Sequence, residues 1–102
     1  MMNLNKQQQK YLRKEGMELS PIFQIGKNGL SEEQIKSISE ALETRELIKI
    51  SLLQNTDETP KEVAEVIAEQ TQANVIQVIG KTVVLFKKSS YEDNRRISLE
   101  MP

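Results

Sequence analysis

Gly26, Lys27, Asn28 and Gly29 stand in a row, a GxxG loop with a cation near its tip. Glycine takes turn angles that other residues resist, and its missing Cβ lets another backbone come close. Ser31 follows, with Gln34 three residues on, the pattern of a capping box that opens a helix. A helix start carries unpaired N–H groups and a partial positive charge, so it attracts phosphate. Lys27 adds a full charge beside it. Two readings stand: a loop that holds a phosphate, or a tight strand-to-helix turn with a lysine on its tip. Short motifs do not decide between them alone.

Other chemistry has little to work with. The chain has no cysteine and no histidine, which removes thiolate metal sites, the thiol nucleophile and the commonest general base. Neither a Ser–His nor a Cys–His pair can form. The loop lacks the GxxxxGK spacing of a mononucleotide P-loop and is not GxGxxG. The acidic residues fall on helix faces expected to be exposed, or in the Asp57-Glu58 loop, and nothing places two in a cleft. No enzyme, cofactor or metal is expected.

The length, 102 residues, suits one small domain. A net charge of −1 and a pI of about 5.5 count against a nucleic-acid binder by composition. Composition is not decisive, because binding depends on how charge is distributed. No apolar run approaches a membrane span. The polar stretch 1–14 lacks the apolar middle of a signal peptide. A cytoplasmic, soluble, monomeric protein is expected.

The elements that would position the loop are well signalled. Asn5 caps a first helix running to about Glu15, with Gly16 as its stop. It carries Lys6, Lys10, Arg13 and Lys14 without an acidic residue before Glu15, and their spacing makes one broad stripe. That stripe is either a solvated face or a phosphate-facing one. Residues 21–25 read as a strand and 31–44 as a helix, with Ile38 and Leu42 inward and Glu32, Glu40 and Glu43 on the wet side. Residues 46–53 alternate, which puts Ile48, Ile50 and Leu52 on the core face and Lys49 on the other. Asn55 to Glu58 form a polar loop. Thr59, Pro60 and Glu62 open a helix over 60–71. Two β-rich runs, 75–79 and 82–87, flank Gly80-Lys81, a tight hairpin with Lys81 at its tip. Lys87 and Lys88 end the last strand, and 89–102 reads as an extended or mobile tail beyond a domain of residues 1–88.

The order is α-β-α-β-α-β-β. Two right-handed βαβ crossovers that step the same way give a two-layer α/β sandwich with a mixed four-stranded sheet. Its helical layer would keep Glu32, Glu33, Glu40, Glu43, Glu62, Glu65 and Glu69, leaving the basic residues to other sides.

Ile25-Gly26-Lys27-Asn28-Gly29-Leu30, Glu46-Leu47-Ile48-Lys49-Ile50 and the run Val78 to Phe86 resemble the three signature blocks of the CRM domain. In particular the chain resembles its stand-alone bacterial members, the YhbY/YqeI family, from about Leu4 to Leu99. One departure is Phe86-Lys87, where the family often has Tyr-Arg. The resemblance implies an RNA-binding module with a fold similar to the C-terminal domain of translation initiation factor three. Its GxxG loop would clamp phosphate as in K homology domains. It also implies association with large-subunit ribosomal RNA or its precursor particle during ribosome assembly. The loop positions carried over are Gly26, Lys27, Asn28 and Gly29. Lys49, Lys81 and Lys87 match basic positions, and with Lys6, Lys10, Arg13, Lys14 and Lys88 they would extend an electropositive track. With Phe23 and Phe86 in strand runs, little base stacking is expected. The rival readings are a protein-interaction adaptor acting through the acidic helices and a small enzyme on structured RNA, the latter opposed by the missing histidine.

Overall fold

A computed structural model of the chain describes residues 2–53 and 58–102. The elements run α1 (Lys6–Met17), β1 (Phe23–Ile25), α2 (Glu32–Arg45), β2 (Leu47–Leu52), α3 (Pro60–Thr71), β3 (Asn74–Ile79) and β4 (Thr82–Phe86). A 3-10 turn (Glu92–Asn94) and a short helix, α4 (Ile97–Glu100), close the chain. Asn55, Thr56 and Asp57 of the expected polar loop lie outside the described residues.

The order in the sheet is β1-β2-β4-β3. β1 pairs parallel with β2, and β4 lies antiparallel to both β2 and β3. The sheet is therefore mixed and four-stranded, as the sequence predicts. Gly80 supplies the positive φ, 55°, that the β3–β4 hairpin needs, and Ile79 sits opposite Thr82. Alternation in β2 drives Ile48, Ile50 and Leu52 into a core with Ile38 and Leu42 of α2, Val63 and Ile67 of α3, and Val83 and Leu85 of β4. α2 and α3 thus share one face of the sheet.

The opposite face is covered at one end only. Leu12 of α1 is fully buried against Leu47, Val84 and Phe86, and Ile97 and Met101 from the chain end join them. Gly16 does not stop α1. It lies inside the helix and is buried, and a Cβ there would meet Val84 Cγ1 at 2.8 Å and Cγ2 at 3.2 Å. The glycine is a contact point where helix and sheet approach closely. A branched, buried Val84 has no free rotamer to swing away. Gly16→Val should therefore lower stability by about 2 kcal/mol through overpacking. Adding Val84→Ala should recover part of the loss in a thermal melt; no recovery would mean the contact is not the cause.

The chain end differs from expectation as well. Residues 89–102 are neither extended nor loose but folded back onto the end of α2. Glu46 is fully buried at the α2 C-cap. Its carboxylate accepts bonds from Ser89 N (2.8 Å), Arg96 N (2.8 Å), Ser98 N (3.1 Å) and Ser98 Oγ (2.6 Å). Glu43, expected on the wet side, is also drawn in. It accepts bonds from Ser90 N at 2.6 Å and Lys87 Nζ at 2.7 Å. Burial pushes both carboxyls up, but the donors around them outweigh it and hold both below the usual carboxylate value.

Candidate nucleic-acid interface

The GxxG segment leaves β1 and enters α2 as a closed turn. Gly29 N–H donates to the Gly26 carbonyl at 3.0 Å, and Gly29 has φ 78°. Its amide is committed to the turn, so it is not one of the donors that a phosphate could use. The amides of Lys27 and Asn28 meet no acceptor among the described residues. Ser31 Oγ accepts from Gln34 N at 3.1 Å, but the Gln34 side chain donates to the Gln24 carbonyl rather than back to the cap. The capping box is thus half made, and Gln34 instead fastens α2 to β1.

The two glycines serve different ends. Gly29 needs its positive φ, which L side chains strain to adopt. Gly26 has no such need. Among the described residues a Cβ there would meet Leu53 Cδ1, at an ordinary 3.9 Å. Its backbone angle does not call for a glycine, and no described residue crowds the position.

Sheet topology gathers some of the cations. β1, β2 and β3 run the same way, so their C-terminal ends share one end of the sheet. The Gly26–Gly29 loop, the start of α3 and the Gly80-Lys81 turn all lie there. The Leu52 amide donates to the Lys81 carbonyl at 2.8 Å, which ties the hairpin to the end of β2. Lys27 and Lys81 are both exposed at this end. α1 covers the far half of the second face, near Leu47 and Phe86, and leaves a polar strip towards this one. The register aligns Gln24 with Ser51 and Ser51 with Thr82, and Lys49 lies half-exposed on the same face. Lys6, Lys10 and Lys14 of α1 are exposed on that side of the sheet, while Arg13 is half-buried.

Lys87 and Lys88 fall elsewhere. They follow β4 at its far end, roughly 20 Å along the strand from Lys81 at ~3.4 Å per residue. Lys87 is engaged with Glu43 in an ion pair. Glu32, Glu33, Glu40, Glu62, Glu65 and Glu69 are exposed on α2 and α3, across the sheet from α1. Phe86 is fully buried and Phe23 packs against the core, so neither offers a stacking face.

Sequence reasoning missed one neighbour of the loop. The Glu58 carboxylate lies against Gly29, with Oε1 and Oε2 at 3.1 and 3.3 Å from where a Cβ would stand. Lys27, Asn28, Gly29 and Glu58 line a shallow depression of about 390 Å³. The signal was present: in consecutive βαβ units, the loops after both parallel strands meet at one end of the sheet. Among the described residues no group of His, Cys, Asp or Glu is placed to hold a metal ion, and no helix is long and apolar enough to cross a membrane.

Residues 4–87 match the family model of the CRS1 / YhbY (CRM) domain. The chain is 45% identical over 96 residues to the "Probable RNA-binding protein YqeI" of Bacillus subtilis, covering 94% of this chain and 98% of that one. It is 33% identical over 89 residues to a Haemophilus influenzae protein named "RNA-binding protein", covering 87% and 90%. A solution structure of a Staphylococcus aureus protein, described as a candidate RNA-binding protein, superposes with a TM-score of 0.74 at 43% identity. That match covers 88% of this chain and 94% of the other.

Proposed function

The chain belongs to the CRS1 / YhbY (CRM) domain family, and we propose that it is a non-catalytic RNA-binding protein of ribosome assembly. Its RNA is large-subunit ribosomal RNA or the precursor particle. The relatives' names support RNA as the ligand class. One observation carries the finer reading: the GxxG turn with exposed Lys27, at the sheet end that also presents Lys81 and the starts of α2 and α3. A phosphate takes the Lys27 and Asn28 amides and the α2 start, with Lys27 neutralising charge. Lys81, Lys49 and the Lys6, Lys10 and Lys14 row meet neighbouring phosphates. Buried phenylalanines leave recognition to shape and backbone.

Binding should therefore fall steeply with salt. Six lysine–phosphate contacts give a log–log slope of about −4 to −5, a loss of roughly 300- to 2,000-fold between 50 and 200 mM salt. Lys27→Glu should weaken affinity for large-subunit ribosomal RNA about tenfold, ~1.4 kcal/mol, with an unchanged melt. Glu40→Lys on the acidic layer should not weaken it. A flat salt response, with Lys27→Glu binding like the parent, would favour the adaptor reading instead.

A further inference from the structure

The loop that offers donors to a phosphate already has a carboxylate at its side. Glu58 precedes the Thr59 cap of α3, and its carboxyl group packs on the Cα face of Gly29. It is half-buried, and among the described residues it makes no hydrogen bond or ion pair, with Lys27 or any other group. A carboxylate beside Lys27 and the Lys27 and Asn28 amides, which meet no acceptor among the described residues, carries the same sign of charge as a phosphate oxygen and stands next to the place the phosphate would take. We propose that Glu58 is an intramolecular competitor of phosphate at the GxxG loop, which sets how strongly the loop holds a single phosphate. This rests on the phosphate-holding reading given above.

The physical consequence is an affinity threshold set by the number of contacts. Like charges in close approach repel, and water and salt screen them only partly at a half-buried position. A free phosphate or a short oligonucleotide has just the loop to hold it, and Glu58 keeps that binding weak. A folded RNA also reaches Lys81, Lys49 and the α1 row, and those contacts outweigh the repulsion. Glu58 lowers the affinity of everything that touches the loop, so a ligand held by the loop alone stays weakly bound while an RNA with further contacts stays bound.

The test is affinity for a large-subunit ribosomal RNA transcript at fixed low salt, with melts alongside. Glu58→Gln keeps the shape and removes the charge, and should bind three- to tenfold tighter. Glu69→Gln makes the same charge change roughly 15 Å further along α3, from the helical rise, and should move affinity less than twofold. In a Lys27→Glu background the gain from Glu58→Gln should shrink, because both act on one phosphate. If Lys27→Glu weakens binding while Glu58→Gln leaves it unchanged or weaker, the competitor role is wrong and the loop reading survives. Equal gains from Glu58→Gln and Glu69→Gln would also overturn it, as an effect of bulk charge. If neither Lys27→Glu nor Glu58→Gln has any effect, the phosphate loop itself fails.

Discussion

Glu46→Ala should destabilise the protein by about 3 kcal/mol, the range found when one partner of a buried charged network is removed. For a chain of this size that corresponds to a fall in Tm of roughly 12–20 °C. The carboxylate is fully buried and collects four donors from the chain end. Its truncation leaves Ser89 N, itself buried, without an acceptor. Ile97 and Met101 then lose the anchor that presses them onto Leu12 and Phe86. Glu46 also sits at φ 66°, a strained angle for a residue with a Cβ. Glu46→Gly relieves that strain while losing the same bonds, so it should fall by less than Glu46→Ala. If alanine and glycine both melt like the parent, the network contributes nothing.

The same carboxylates set the acid limit. Glu43 and Glu46 have folded-state pKa values held below their ordinary value of 4.5. Their contribution is complete above that ordinary value, where folded and unfolded chains are both ionised. It declines as pH falls below it, because the unfolded chain takes up protons first, and is gone once the folded-state carboxyls are protonated. Stability should drop on acidification through this window, and Glu46→Gln should flatten the drop in a pH series of melts.

Glu46 also marks where the sequence stops being readable. Caps, the Gly80-Lys81 turn and the alternation of β2 are local signals, and helices, strands and the β3–β4 hairpin followed from them, whereas the place of β4 between β2 and β3 did not. Arg45-Glu46-Leu47 carries no such signal. A glutamate between a helix and a strand reads as a solvated charge, and its partners lie about fifty residues away. Ile97–Glu100 is a single turn, too short for any periodicity, and forms because Glu46 and the Leu12 cluster hold it. Gly16 was ambiguous for another reason: a glycine that ends a helix and one that admits a neighbour look alike in sequence. Among the site residues, Lys27 and Lys81 were legible because both lie in turns after strands that run the same way. Lys87 was not, because a lysine at a strand end gives no hint that a glutamate on a helix will claim it.

Gly29→Asp should be the most damaging single change to RNA binding. At φ 78° an aspartate strains the backbone, at about 1–2 kcal/mol for an ordinary L residue and less for aspartate. Its Cβ would stand 3.1 Å from Glu58 Oε1, so the new carboxylate is forced beside an existing one. Two negative charges then border the depression, and the turn that orients the Lys27 and Asn28 amides is distorted. A loss of affinity for large-subunit ribosomal RNA of at least thirtyfold is expected, about 2 kcal/mol. Strain and charge are separable. Gly29→Ala keeps the strain without the charge and should lose some stability but much less affinity. Gly26→Ala is the complementary probe, because no described residue crowds the position and its φ is not positive. Its melt should match the parent, since among the described residues the new methyl makes an ordinary contact with Leu53. Its RNA affinity should still fall several-fold if a phosphate backbone comes close to Gly26, because the methyl then occupies that approach. Should Gly26→Ala and Gly29→Asp both bind RNA as the parent does, the loop is a turn between β1 and α2 and the RNA contacts lie elsewhere on the basic face.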